Sequence, residues 1–257
     1  MHKILVITDL HMTNDGKTII DLDPQARLRR VLDAAARDHA DAQAMIAMGD
    51  LAHWGGPREY ARLRDTLADA PWPVHLMIGN HDNRANFRTT FPDTPATDDG
   101  HVQQVLSFGD WRLILLDSHD ETFAEPAHSG ILCEARLDWL TRELARAADK
   151  KVVICIHHPP MRTFFDGMDD IGLRNKDQLL DIIDRHAQVK QIVAGHIHRT
   201  ISGVVRQMPI TVFKSPCHQM PLVLGQAGSD HSVDEPGAYG LLLLHDEGVT
   251  IHSEDVM

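Results

Sequence analysis

Asp9 and His11, Asp50, Asn80 and His81, His157, and His196 and His198 are side chains of this sequence whose types can do metal chemistry. Asn80 offers an amide oxygen suited to a hard cation, and His81 beside it carries an imidazole that titrates near neutrality. Asp9 and His11, like His196 and His198, stand two residues apart, a spacing that points both side chains the same way in an extended segment. Taken singly, each group has an ordinary structural role: Gly79-Asn80 as a turn, Asp9 as a turn residue, His157 as a hydrogen-bonded histidine at a strand end. Together they suggest more, because each cluster directly follows an apolar run: residues 4–8, 44–48, 74–78, 152–156 and 191–194. Ligand sites of open α/β sheets lie beyond the carboxyl ends of the strands. The seven ligands Asp9, His11, Asp50, Asn80, His157, His196 and His198 exceed the usual need of one ion. They suit two ions sharing a bridging carboxylate. Cysteine is absent from the set, which disfavours a structural zinc site, and mixed nitrogen and oxygen ligation admits Fe, Mn, Zn or Co.

The elements that must position these groups follow from periodicity. Asp23-Pro24 starts a helix whose apolar stripe is Leu28, Val31, Leu32 and Ala35. Pro57 opens another, with Tyr60, Leu63 and Leu67 on one face. The first third thus alternates strand and helix and predicts a largely parallel sheet covered by helices. Residues 83–109 read as loop with one strand near 102–108, followed by a strand over 111–116. Residues 117–130 are irregular and polar, and Leu137, Leu140 and Leu144 mark the next helix. Asn175 is placed to cap a helix carrying Leu179, Ile182 and Ile183. Strand patterns follow at 201–205, 210–213, 239–244 and 249–252, with a turn-rich acidic loop over 225–237. No repeat or linker interrupts the pattern, so residues 1–257 are expected to form a single domain.

Composition narrows the function classes. With 43% hydrophobic and 24% charged residues, the 257-residue chain has globular values and the length for one large core. A formal net charge of −12 argues against binding a nucleic-acid polymer, which needs a basic stripe. An anionic substrate then needs a local positive centre, which metal ions supply. No window approaches a membrane span, and the start of the chain enters a strand pattern without a cleavable signal segment. Cys133, Cys155 and Cys217 are scattered, as reduced thiols of a cytoplasmic protein would be.

Asp9-Leu10-His11, Gly49-Asp50, Gly79-Asn80-His81-Asp82, His157-His158-Pro159-Pro160 and Gly195-His196-Ile197-His198 resemble, in order, the motif set of the calcineurin-like metallophosphoesterases. The segments from Gly49-Asp50-Leu51-Ala52 through Tyr60, and Ser215-Pro216-Cys217-His218, are similar to the bacterial class III cyclic-nucleotide phosphodiesterases and the related glycerophosphodiesterases. The resemblance implies an α/β fold of the four-layer α/β/β/α sandwich type. It implies two divalent ions, the first on Asp9, His11 and His198, the second on Asn80, His157 and His196, with Asp50 bridging. His81 would stay off the metals as the catalytic residue, assisting attack of a metal-bound hydroxide on a small phosphodiester, a cyclic nucleotide of the cAMP type first. Asn80, His81, His53 and His218 would meet the substrate. His158 would stand behind the ligands, Asp82 would orient His81 or cap a turn, and Arg84 would face a substrate phosphate or solvent. Phe123 and His128 would close over the site. The rival readings are a glycerophosphodiesterase, a broad diesterase that also takes phosphonate monoesters, and a catalytically silent metal-bound scaffold. Homodimers or larger homo-oligomers accompany the resemblance, with no membrane and no nucleic-acid partner.

Overall fold

Ile4 and Val6 turn to one side of their strand and Leu5 and Ile7 to the other, and all four are fully buried. A strand buried on both faces reads as an unbroken apolar run, because neither set of alternate side chains meets water. The computed structural model describes residues 1–122 and 125–257, and Phe123 therefore lies outside the described residues. Its two sheets are built largely from such doubly buried strands.

The first sheet has the order β11-β10-β1-β2-β3, made of Val249–Val256, Gly237–Leu244, His2–Ile7, Ala44–Met48 and Val74–Met77. Strands β1, β2 and β3 run parallel, and β10 returns antiparallel to β1 with His2 opposite Leu244. The second sheet has the order β4-β5-β6-β7-β9-β8, made of Gln104–Phe108, Trp111–Leu116, Lys151–Ile156, Val189–Ala194, Met208–Val212 and Ile201–Val205. Its centre is parallel, and β4 and β8 are antiparallel edges. The parallel sheet covered by helices that the alternation predicts is present as β1, β2 and β3, and a second sheet joins it, so that both sheets are mixed. Strands β10 and β11 make the first sheet mixed, and β4 and β8 make the second mixed.

Three apolar layers hold the sheets in place. Ile4, Val6, Ile46 and Met48 of the first sheet pack against Leu113, Leu115, Val153 and Cys155 of the second, forming the layer between the sheets. Leu5, Ile7, Met45 and Ala47 face outward onto helices α1 (Pro24–His39) and α2 (Pro57–Leu67). Ile114, Val152, Ile154 and Ile156 face outward the other way, onto α4 (Glu134–Arg146) and α6 (Lys176–Ile183). The result is the α/β/β/α sandwich. Each fully buried aliphatic side chain contributes roughly 1.5–3 kcal/mol.

Helix starts agree with local chemistry in part. The Asp23 carboxylate accepts from Gln25 N at 3.0 Å, with Pro24 at the first position of α1. Asn175 stands at the start of α6, but its amide pairs with both backbone groups of Leu132, at 3.0 and 2.7 Å, so the loop before α4 takes the cap group. Two short helices, α3 (Arg84–Thr90) and α5 (Asp166–Asp170), arise where no apolar stripe announces them. Among their hydrophobic side chains only Phe87 of α3 and Met168 of α5 are buried.

Candidate metal centre

The carboxyl ends of β1, β2 and β3 in one sheet and of β6 and β7 in the other open on the same side, and their loops interlock. Asp9 N donates to Gly49 O at 3.0 Å, His11 N to Asp50 O at 2.8 Å, and Gly195 N to His157 O at 3.1 Å. The carboxylates join the loops, Asp9 across the two sheets and Asp50 within the first. Both oxygens of Asp9 accept from His196 N at 3.0 Å, and Asp50 Oδ1 accepts from His81 N at 2.9 Å. Asp9, His11, Asp50, His196 and His198 all adopt positive φ, between 45° and 72°. Non-glycine residues seldom hold that conformation, and such strain gathers at functional sites. Two glycines give the loops room. A Cβ on Gly79 would press on the Asp50 carboxylate and the His157 ring, and one on Gly195 would press on Thr8 and Asp9.

All seven predicted ligands meet in this space. Asp9, His11, Asp50 and His198 form one group able to hold a metal ion, with ligand atoms within 4.8 Å of one another. His157 and His196 belong to an adjoining group. The donor set itself shows whether cations fit. His157 Nδ1 donates to Met48 O at 2.9 Å, so the Nε2 of the neutral ring carries a lone pair. That Nε2 lies 3.2 Å from Asn80 Oδ1 and 3.3 Å from Asp50 Oδ2. With the ring neutral, three acceptors converge there, a place that either a proton or a cation fills. His198 repeats the pattern: Nδ1 donates to His218 O at 3.1 Å, and Nε2 sits 3.4 Å from Asp9 Oδ1 and 3.0 Å from His11 Nε2. His196 Nε2 is buried with no partner among the described residues. The residues fit divalent cations.

The electrostatics show a proton competing for that place. Burial opposes charge on His157, yet Asp50 beside it outweighs burial and raises the ring to about 9. Burial also opposes charge on Asp50, but His157 and His81 hold its carboxylate well below the usual range. His196 has less carboxylate help, and burial takes it down to about 3.

The remaining predicted residues separate. His81 is half-buried, and its Nδ1 meets His53 O at 2.8 Å. Its ring stacks between His53 and His128, with centroids 5.4 and 5.0 Å away. Asp82 does not touch that ring. Its carboxylate accepts from Gly79 N at 2.8 Å, Leu51 N and Ala52 N at 3.1 Å, and Tyr60 Oη at 2.9 Å, so it locks the loops after β2 and β3 together. His53 and His218 line the cavity and lend their carbonyls to His81 and His198. Burial keeps both rings neutral, His53 at about 4 and His218 at about 2. His158 has both nitrogens engaged, Nδ1 with Ser118 Oγ at 2.8 Å and Nε2 with His128 O at 3.2 Å. It supports the loop carrying His128, whose own Nδ1 lies 3.3 Å from Asn80 Nδ2. Arg84 is tied to Asp117 at 2.9 Å and to Glu121, and is largely withdrawn from solvent.

Two chambers adjoin Asn80 and His81. One, of about 380 Å³, adds Ile19, Ile20, Met168, Ile171 and the polar segment from Ser229 to Ser232. The other, of about 570 Å³, adds Trp54, Asn83, His119 and Glu121. Sequence reasoning did not find these walls. The legible signal was the exposed aromatic Trp54 beside the Asp50 motif.

Comparison with known proteins adds three findings. A family model described as calcineurin-like phosphoesterase matches residues 2–200. The chain is 38% identical over 251 residues to a probable cyclic nucleotide phosphodiesterase of Rhodopseudomonas palustris, covering 97% of this chain and 91% of that one. It is 27% identical to a probable glycerophosphodiester phosphodiesterase of Arcobacter nitrofigilis, covering 97% and 92%. A dimetal phosphatase from Danio rerio shares the fold at a TM-score of 0.71 and 15% identity, covering 100% of this chain and 99% of that one.

Proposed function

This chain belongs to the calcineurin-like phosphoesterase family, and on that premise we propose that it hydrolyses a small phosphodiester, a cyclic nucleotide of the cAMP type first. The observation that carries the reading is the meeting of acceptor atoms around His157 and His198, beside an imidazole, His81, left free to work. Asp9, His11 and His198 would hold one divalent ion, Asn80, His157 and His196 the other, and Asp50 both. Bound there, two divalent cations supply Lewis acidity to the phosphoryl oxygens and a water ionised near neutral pH.

The chain's own residues do the rest. Asp50 accepts from His81 N, and the His53 carbonyl accepts from His81 Nδ1–H, so the ring stands in one orientation. His81 Nε2 makes no hydrogen bond among the described residues. As imidazolium, the ring donates that Nε2 proton to the departing alkoxide. The amide of Asn80, held against His128, steers a phosphoryl oxygen toward the same edge of the cavity. The Asp50 carboxylate and its neighbours thereby orient both the cation sites and the acid.

Two chambers on either side of Asn80 and His81 favour a second reading within the class. A diester with an organic group on each arm, such as a glycerophosphodiester, has room for both, and a broad diesterase would also take phosphonate monoesters. The deciding experiment compares kcat/KM for 3′,5′-cAMP, 2′,3′-cAMP, a glycerophosphodiester and a phosphonate monoester at measured metal content. The expected result is a preference for 3′,5′-cAMP. A glycerophosphodiester preferred by orders of magnitude would move the assignment, and no metal-dependent turnover of any of the four would mark a scaffold. Three free thiols support a cytoplasmic setting for such an enzyme.

A further inference from the structure

The turn before α1 places an isoleucine where isoleucine is poorly accommodated. Ile19 and Leu22 exchange backbone hydrogen bonds at 2.9 and 2.8 Å, which leaves Ile20 and Asp21 as the two central residues of a tight turn. Both have positive φ, 44° and 65°. Asn-Gly and Gly-Gly adopt that geometry readily, and a β-branched side chain does not. Burial does not offset the strain, because Ile20 is 45% exposed. A strained backbone here holds an apolar side chain against water.

Its position gives the strain a purpose. Ile20 lines the cavity that also contains Asn80 and His81, on an apolar stretch with Ile19, Met168, Ile171 and Met220. Left-handed non-glycine residues recur around this same cavity, at His11, Asp50, His128, His196 and His198. The comparable turn between β8 and β9 serves as a contrast. Its central residues, Arg206 and Gln207, are also left-handed, but they are unbranched and polar, and Arg206 pairs with Asp177 at 2.9 Å, a residue that does not line the cavity.

We infer that Ile20 is a specificity-determining residue: it offers an apolar wall to the organic group of the bound ester. The inference rests on the diesterase reading above and deepens it by naming the substrate class. The poorly hydrated face of a nucleobase or other planar group releases water on meeting Ile20, Met168 and Ile171. A glycerol arm set against these apolar side chains, rather than against the polar segment from Ser229 to Ser232, would lose hydrogen bonds to water without regaining them. The tight turn presents the side chain in place before substrate arrives, so little freedom is lost on binding.

The test uses Ile20→Gly and Ile20→Asn, both of which suit a left-handed backbone. KM and kcat are measured on the metal-loaded enzyme for 3′,5′-cAMP, bis(p-nitrophenyl) phosphate and glycerophosphoethanolamine, alongside Tm and metal content. For the first two substrates KM rises about tenfold, the scale of a lost apolar contact, with kcat little changed. KM for glycerophosphoethanolamine stays within about twofold, and Tm is equal to or above that of the parent. Unchanged KM for 3′,5′-cAMP, an equal shift for all three substrates, or a fall in Tm overturns the inference alone. A metal-loaded parent protein that turns over none of the three overturns the diesterase reading and this inference with it.

Discussion

His81 and Asp50 sit one hydrogen bond apart and have opposite dependence on the cations. His81 is positioned by main chain: its N–H is held by Asp50 at 2.9 Å and its Nδ1 by the His53 carbonyl at 2.8 Å. Removing its ring deletes an acid and leaves the acceptor clusters intact. His81→Ala is therefore expected to retain both metals, measured by elemental analysis, while kcat falls by roughly 10²- to 10⁴-fold. Asp50→Ala removes the carboxylate that lies 3.3 Å from His157 Nε2 and 3.6 Å from His11 Nε2, and it should deplete both sites. Loss of metal from His81→Ala, or full occupancy in Asp50→Ala, would reverse the two roles. Neither outcome depends on which diester is the substrate.

At the scale of elements, the loops after β2 and β3 act as one unit because Asp82 joins them. Its buried carboxylate serves four donors, and burial with the nearby Asp50 charge pushes it up to about 6 in spite of the backbone N–H groups it accepts. Asp82→Ala leaves those donors buried and unpaired, at about 1–3 kcal/mol for each one that water does not reach. The expected outcome is a lower Tm together with reduced metal affinity, since Asp50 and Asn80 lose their common anchor. Asp82→Asn keeps part of the acceptor set and should fall between the two. Unchanged metal affinity in Asp82→Ala would make the residue a local turn cap only. The strand ends that carry these loops were legible because doubly buried strands leave unbroken apolar runs. Helix α3 was not, because Arg84–Thr90 buries little besides Phe87 and has no stripe to read. The seven metal-type residues were legible from residue type and order. The carbonyls of His53 and His218 were not, since every residue carries a carbonyl and side-chain identity does not say where it points. Ile20 escaped for a related reason: the strain that marks it is a backbone angle.

Across the whole molecule, the site is a seam between two sheets. Asp9, His11, Asp50 and Asn80 come from the loops of the first sheet, and His157, His196 and His198 from those of the second. The seam buries carboxylates and imidazoles from both sheets together, with Asp9 and His157 fully buried. Cations bound there would attract ligands from both sheets at once and oppose their separation. Ions bound to the folded chain at about a thousand times their dissociation constant stabilise it by roughly 4 kcal/mol. For a chain of this size that is a rise in Tm on the order of 10 °C. Calorimetry of the chelated and reloaded protein is the measurement, with Asp50→Ala as the control. The parent should gain Tm on reloading and the variant should gain far less. If saturating Mn, Zn, Co or Fe left the parent's Tm where chelation put it, the apolar layer between the sheets would be holding the seam alone. The strand-end cluster would then be a chemical site that the fold supports without depending on it.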